Sequence, residues 1–394
     1  MTTTSTAHEA RVDGLLDRLL TDHDPAGDRT AFLGAQFDLG LAWIHFPEGH
    51  GGLSAPPILQ ERINQRLEEA GAHRPRNVDI IGHGMGAPVL IAHGTESQQR
   101  RHLRPMFTGE EIWCQMFSEP GAGSDVAGLT SKAVRDGDEW VVNGQKVWTT
   151  AAQVATWGML VTRTNPDVPK HKGLSYFILD MHAAGVDIRP LRQITGEAEF
   201  NEVYLTDVRI PDDKRVGDVG DGWRVALATL MNERVAIGGR VGDRGEGYIA
   251  DLVDTWRGSA RDPGHLDAVM KLWVDAEATR LTNLRAAQNR AAGTPGPEGS
   301  TSKLVYAEMN KKIFEVATDV MGAEAMLYDS YEMHQPGPDD LPSRDLRRRF
   351  LRVRANSIEG GTSEIMKNIL GERVLGLPGE PRVDKDLPWR ESPR

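Results

Sequence analysis

Apolar and polar residues alternate with a helical period along the first third of the chain. An apolar stripe recurs at Val12, Leu15, Leu16, Leu19 and Leu20, which is the spacing of one face of an amphipathic helix. The pattern predicts further helices over 59–70 and 78–93. Thr95-Glu96-Ser97-Gln98 has the form of a capping box that opens another helix. This part of the chain is therefore predicted to be helical.

From Ile112 the pattern changes to short apolar runs separated by turn residues, as in a small antiparallel barrel or sandwich. The Asp136-Gly137 and Asn143-Gly144 pairs are both hairpin signals, and the second predicts a turn between two strands within Glu139 to Thr150. Further strands are predicted over 157–162, 174–180, 186–191 and 200–210.

Helical spacing returns at Trp223. The predicted helices cover 223–236, 266–290, 302–321 and 363–374. The order helical, β and helical again predicts an α+β protein with an N-terminal helical domain over 1–112, a middle antiparallel β-barrel domain over 113–222 and a C-terminal helical bundle over 223–394.

A glycine-rich loop follows the first apolar run of the β region. The stretch 113–125 reads WCQMFSEPGAGSD, in which glycines leave backbone N–H groups free to face an anion. Ser118 and Ser124 add hydroxyl groups at the two ends of the loop. The loop is typical of a site for a phosphorylated cofactor, although a simple tight turn would have the same glycines.

A second segment, EWVVNGQKVWTT at 139–150, follows in the order found in acyl-CoA dehydrogenases. Together with WCQMFSEPGAGSD and GGTSEI, it closely resembles the acyl-CoA dehydrogenase family, in particular bacterial branches, several of which act on branched or steroid side-chain CoA thioesters. The resemblance covers 39–378 and implies bound FAD. The cofactor contacts that it implies are Gln115, Phe117, Ser118, Gly123, Ser124, Trp148, Thr149, Thr150, Thr362 and Glu364.

The resemblance implies a reaction in which a carboxylate removes the α-proton of an acyl-CoA and the β-hydrogen leaves as hydride to the flavin N5. Glu233 and Glu359 compete as the base. Glu233 interrupts the apolar face of a predicted helix, where an unpaired carboxylate is costly unless it is used. Glu359 lies one residue before the position that carries the base in most relatives, now Gly360. We therefore predict Glu233 as the base.

Four residues are implied as substrate contacts: Ser124, Arg234, Gly360 and Gly361. Relatives bind the thioester carbonyl through the backbone N–H at the position of Gly360, and glycine keeps that donor. Thr362 has an alternative role as a helix cap. The Arg-x-x-Phe-Gly segment, which reaches the flavin of a neighbouring subunit in many relatives, has no match at 254–263.

The amino-acid composition limits which classes of partner and site are expected. A net charge of -11 and a pI near 5.6 argue against nucleic acid. The single cysteine, Cys114, excludes an internal disulfide and a cysteine-built zinc site, and we predict no metal. Without an apolar run of about 18 residues or a signal-like N-terminus, the protein is expected to be soluble and cytoplasmic, with no membrane partner.

The resemblance further implies electron-transferring flavoprotein as the electron acceptor, and a homodimer or tetramer, including a mixed tetramer of two unlike subunits. Two alternatives stay open from the sequence. One is a flavin oxidase or monooxygenase of the same fold, and the other is a structural subunit within a mixed tetramer.

Overall fold

The computed structural model describes the backbone of residues 2–238, 241–291, 296 and 298–392. Side chains are described for 7–233, 241–289, 296 and 299–392. The elements follow one another as helices, strands and helices, so the predicted α+β architecture is confirmed. No helix in these ranges combines the length and the apolar character that a membrane crossing requires.

The N-terminal helices are α1 Thr2–Asp22, α2 Arg29–Asp38, α3 Leu59–Glu69, α4 Ala87–His93 and α5 Glu96–Thr108. The predicted capping box is confirmed, because Thr95 Oγ1 accepts a hydrogen bond from the Gln98 N–H at 3.2 Å and Gln98 Oε1 accepts one from the Thr95 N–H at 3.0 Å.

The helix predicted over 78–93 is confirmed: the chain is helical without interruption over 77–93, beginning with a 3₁₀ turn at Asn77–Asp79 and widening into a π-helix at Gly82–Gly86 before α4. A Cβ at Gly82 would lie 2.9 Å from Met106 Cγ, so the backbone here packs closer to α5 than a larger residue would allow.

The middle region is a single sheet. Its strands are β1 Trp113–Met116, β2 Lys132–Asp136, β3 Glu139–Thr150, β4 Trp157–Arg163, β5 Leu174–Asp180, β6 Val186–Leu191, β7 Phe200–Pro211 and β8 Arg215–Val216. They lie in the order β6-β7-β3-β2-β4-β5-β8, and β1 pairs with β4. Most pairs are antiparallel as predicted, but β1 and β2 each pair in parallel with β4, so the sheet is mixed.

The hairpin predicted at Asn143-Gly144 is wrong. The chain passes through this point as one continuous strand, β3, with a register shift against β7 between Val142 and Gly144. Ser131 lies so close that a Cβ at Gly144 would be 2.1 Å from its Oγ. The glycine therefore permits a close approach at a bulge instead of a turn. The other turn signal is confirmed, since Gly137 joins β2 to β3 with φ 66°.

The C-terminal helices are α6 Gly222–Gly238, α7 Tyr248–Gly258, α8 Pro263–Ala291, α9 Glu298–Met321, α10 Leu346–Arg352 and α11 Ser363–Arg373. The sequence pattern predicted α6, α8, α9 and α11 but not α7 or α10. Helix α6 packs against one face of the sheet. Its residues Val225 and Ala226 are fully buried in a core shared with the N-terminal helices and β1.

Candidate active site

Strand β1 and helix α6 bring two of the predicted site residues together. Successive side chains of a strand point to opposite faces, and Trp113 and Phe117 belong to the core that contains α6. Gln115 shares their face, and its Nε2 donates to Glu233 Oε2 at 3.4 Å. On α6, Ala226 lies two turns before Glu233 and is fully buried. Glu233 is half-buried at the end of this apolar face.

The loop after β1 is fixed by a buried ion pair. Lys146 Nζ lies 2.9 Å from Glu119 Oε1 and also donates to the Phe117 carbonyl oxygen at 3.1 Å. The second carboxylate oxygen of Glu119 accepts hydrogen bonds from the N–H and hydroxyl of Thr130, and Oε1 accepts one from the Ser131 N–H. These contacts anchor both the start of the loop and the strand that follows it.

Burial and neighbouring groups shift the pKa values of both members of the pair. Burial raises the pKa of Glu119, but the charge of Lys146 and the hydrogen bonds outweigh it and lower that pKa to about 2. Burial lowers the pKa of Lys146, against the opposing effect of the carboxylate. The carboxylate of Glu119 is therefore ionised at neutral pH, and its role is to hold the loop.

The predicted contacts in and beside the loop differ in exposure. Phe117 is 3% exposed, and its ring packs edge-on against Tyr176. A cofactor could therefore contact Phe117 only through its backbone atoms. Ser118 is half-buried, and its carbonyl oxygen accepts a hydrogen bond from the Val147 N–H. Gly123 and Ser124 are exposed, and no atom lies within 4 Å of the place where a Cβ of Gly123 would be.

The end of β3 presents an exposed aromatic ring. Trp148 has a left-handed backbone with φ 60°, and 57% of its surface is exposed. Its ring meets Phe200 edge-on, with ring centroids 5.8 Å apart. Thr149 is fully buried, and its Oγ1 has no hydrogen-bond partner among the described residues. Thr150 is half-buried and pairs with Phe200 of β7.

The C-terminal glycine turn lies between α10 and α11. Gly360 and Gly361 have φ of 65° and 98°, a region that favours glycine. Thr362 Oγ1 accepts a hydrogen bond from the Ile365 N–H at 3.1 Å, so its alternative role as the cap of α11 is confirmed. Glu364 is exposed in the first turn of α11.

The carboxylate of Glu359 is engaged by neighbouring side chains. Asn356 Nδ2 donates to Glu359 Oε1 at 2.6 Å, and Arg352 forms an ion pair with Oε2 at 3.1 Å. The same arginine pairs with Glu199 of the β region at 2.7 Å. The side chain of Arg234, a predicted substrate contact, lies outside the described residues.

Three residues around the site were not predicted from the sequence: Lys146, Glu199 and Arg352. Lys146 could have been noticed as a charged residue amid the apolar positions of a strand. For Glu199 and Arg352 no local signal exists, because the two residues lie 153 positions apart and meet only in the folded chain.

Family models match almost the whole chain. The model described as "Acyl-CoA dehydrogenase, N-terminal domain" matches 17–110, the one for the middle domain matches 114–208 and the one for the C-terminal domain matches 220–375. The chain belongs to the acyl-CoA dehydrogenase family. The resemblance stated from the motifs is thus confirmed, and acyl-CoA dehydrogenases are flavoprotein oxidoreductases.

Individual relatives support the assignment. "Acyl-CoA dehydrogenase IpdE1" of Mycobacterium tuberculosis is 39% identical over 363 residues, which are 91% of this chain and 90% of that protein. "Acyl-CoA dehydrogenase FadE34" of the same organism is 40% identical over 344 residues, which are 86% of this chain but only 45% of that protein. The chain thus spans less than half the length of FadE34.

The fold is shared with solved structures. The crystal structure of the ChsE4-ChsE5 complex from Mycobacterium tuberculosis superposes with a TM-score of 0.69 at 26% identity, and the match covers 96% of this chain and 99% of that one.

The acyl-CoA dehydrogenase family binds FAD, and residues of this chain fit such a cofactor. Trp148 offers an exposed flat ring, and the backbone at Gly121 and Gly123 borders open space on the glycine loop. The buried Thr149 Oγ1 is a polar atom without a partner in the described part of the chain. A flat ring system with a diphosphate would match an aromatic surface, a polar atom and a glycine-lined loop.

Proposed function

We propose that this chain is an FAD-dependent dehydrogenase that forms the α,β double bond of an acyl-CoA thioester, with Glu233 as the base that removes the α-proton. The observation that carries the proposal is the contact of Glu233 with Gln115. It sets a half-buried carboxylate beside β1, the strand that leads directly into the glycine loop. The α-proton of a thioester is weakly acidic, so its removal needs a positioned carboxylate that is shielded from water.

Glu359 is the less suitable base in this proposal. Its carboxylate already accepts hydrogen bonds from Asn356 and pairs with Arg352. A base held in this way must give up a charge-assisted contact each time it takes a proton. Its role is therefore structural, and the next residue, Gly360, is proposed to supply its backbone N–H to the thioester carbonyl oxygen. A preorganised donor of this kind stabilises the negative charge that develops on that oxygen.

FAD, when bound, supplies the acceptor for the β-hydrogen as hydride. We assign its ring to Trp148, Thr149 and Thr150, and its diphosphate to the glycine loop. The complete set of proposed contacts is the predicted one, namely Gln115, Phe117, Ser118, Gly123, Ser124, Trp148, Thr149, Thr150, Thr362 and Glu364. In the C-terminal part of the set, Thr362 Oγ1 caps α11 and Glu364 is exposed in the first turn of that helix.

The substrate is proposed to be a branched or steroid side-chain acyl-CoA, with Ser124, Arg234, Gly360 and Gly361 as its contacts. Electrons are proposed to pass to electron-transferring flavoprotein. A mixed tetramer is a second possibility for the assembly, because a solved relative, ChsE4-ChsE5, is a complex of two chains. In such an assembly this chain could also act as a partner subunit without turnover of its own.

The test is anaerobic mixing of the flavin-loaded protein with straight-chain, branched and steroid acyl-CoA thioesters, while the visible absorbance of the oxidised flavin is followed. Wild type is compared with Glu233→Gln and with the matched variant Glu359→Gln. General base catalysis contributes about 100- to 10,000-fold, so we expect flavin reduction in Glu233→Gln to slow by that factor. In Glu359→Gln the amide oxygen can still accept a hydrogen bond from Arg352, so reduction should stay within about tenfold of wild type.

Equal bleaching by wild type and Glu233→Gln would refute the choice of base. Absence of bleaching by every thioester would refute the dehydrogenase activity. A further outcome is that the purified chain retains no flavin by itself but gains flavin and activity with a second chain. That result would favour the hypothesis that this chain is a partner subunit of a mixed assembly. Rapid reoxidation of the reduced flavin by oxygen would favour an oxidase.

A further inference from the structure

Arg352 connects the C-terminal helical region to the β region. It is the last residue of α10, and its Nε donates to Glu199 Oε1 at 2.7 Å. Its other two nitrogens donate to Glu359, at 3.4 Å to Oε1 and 3.1 Å to Oε2. The planar guanidinium is suited to this task, because it can meet two carboxylates at once in fixed geometry.

Each of the two carboxylates belongs to a segment of the candidate site. On one side, the Glu199 carbonyl oxygen accepts a hydrogen bond from the Ala151 N–H at 3.1 Å, directly after Thr150. On the other side, Glu359 immediately precedes Gly360. The arginine thus connects the end of β3 to the C-terminal glycine turn.

Two further contacts restrain the link. The Arg352 guanidinium carbon lies 5.4 Å from the centre of the Phe200 ring, and that ring packs against Trp148. Asn356 Nδ2 fixes Glu359 Oε1 at 2.6 Å. The side chains of Arg352, Glu199 and Glu359 are each less than a third exposed, so water screens the three charges only in part.

Without the arginine, two partly buried carboxylates would face each other. The pKa of Glu199 is already raised, chiefly by burial and further by the nearby charge of Glu359, while Arg352 opposes both effects. The like charges would repel each other, and the two segments would be expected to separate.

We propose that Arg352 is a positioning residue that keeps the Trp148–Thr150 segment and the Glu359–Gly361 turn at a fixed distance from each other. Its effect on turnover rests on the proposed function, in which the two segments hold the cofactor ring and the thioester carbonyl. Its effect on hydrogen exchange of the two segments is independent of any activity. The arginine also keeps Glu359 bound, so that this carboxylate does not compete with Glu233 for the α-proton.

Arg354→Gln provides a matched control. Arg354 is two residues further on, and its ion pair with Glu315 at 2.7 Å joins two elements of the C-terminal region only. Hydrogen–deuterium exchange of wild type, Arg352→Gln and Arg354→Gln is the first measurement. In Arg352→Gln we expect peptides that cover Trp148–Ala151 and those that cover Glu359–Gly361 both to exchange about tenfold faster or more. In Arg354→Gln the first peptide should be unchanged.

Faster exchange at Glu359–Gly361 alone would overturn the proposal, since the arginine would then act only within its own region. A result in which neither peptide changes would overturn it as well. Arg352→Lys retains the charge but not the fork, so it should restore the protection only in part.

Kinetics separates positioning from simple loss of stability. With a thioester that wild type oxidises, Arg352→Gln should lower kcat about tenfold or more while KM changes less than about threefold, because misplacement of reacting groups weakens the transition state more than binding. Unchanged kcat would overturn the positioning role. If wild type oxidises no thioester, the proposed function fails, and the exchange result still decides whether Arg352 links the two segments.

Discussion

The buried pair of Lys146 and Glu119 gives the clearest quantitative prediction. Lys146→Met removes the positive charge and keeps much of the side-chain volume. Breaking a buried ion pair from one side costs about 3–5 kcal/mol, because the other charge is left uncompensated. Glu119 would keep its hydrogen bonds from Thr130 and Ser131. We therefore expect a loss of about 3 kcal/mol in the free energy of unfolding, at the low end of that range.

The pH dependence of the wild-type protein gives a second measure of the same interaction. The pKa of Glu119 lies at about 2 in the folded chain, against an ordinary value of 4.5. A pKa lowered on folding contributes stability that is complete above the unfolded value and is lost as the pH falls through the folded value. At 1.36 kcal/mol for each pKa unit, this contribution is about 3 kcal/mol. It should disappear progressively between about pH 4.5 and about pH 2.

The assay is urea unfolding of wild type and Lys146→Met at several pH values. The stability difference should be constant from pH 7 to about pH 5 and should shrink below about pH 4.5. Lys271→Met is the control, because Lys271 pairs with Asp267 at 2.7 Å in a mostly exposed position, and it should leave the stability close to that of wild type. The double variant Lys146→Met with Glu119→Gln should be more stable than Lys146→Met alone. Equal stability of Lys146→Met and the control would refute the reasoning.

Two further predictions concern packing. Gly144→Ala should lower the free energy of unfolding by about 1–3 kcal/mol or more, because the added Cβ would lie 2.7 Å from the Ser131 Cα and the backbone must move. Calorimetry measures this loss, and an unchanged melting temperature would contradict the close approach at the bulge. Cys114 is fully buried and its thiol pKa is raised by burial, so a thiol reagent should react only after denaturant is added. Rapid modification of the native protein would contradict its place in the core.

Local signals in the sequence predict the structure correctly where the interacting groups are close in the chain. The capping box of α5 involves residues three positions apart, and the Gly137 turn needs only a glycine with positive φ. The helical period of α6 likewise places Glu233 on a buried face before any contact is known. Its partner Gln115 lies 118 positions away, and no periodicity connects the two.

The wrong hairpin prediction has a tertiary cause. Asn143-Gly144 is a strong hairpin signal by itself, but the register of β3 against β7 and the close approach of Ser131 turn the same glycine into a bulge. The helix predicted over 78–93 does form, but it widens into a π-helix where its glycines pack against Met106, which is again an effect of a distant neighbour. Neither neighbour is visible from local pattern, because tertiary packing overrides local preference when backbones approach closely.

The sequence by itself determined the order of helical and β regions, the glycine loop, the aromatic segment at Trp148 and the two competing glutamates. The family follows from the same motifs. Only the tertiary structure decided which partners those residues have: Gln115 for Glu233, Lys146 for Glu119, and Arg352 for both Glu199 and Glu359. Periodicity shows which face of an element is buried, whereas the identity of a contact depends on how distant elements pack, which a local pattern does not contain.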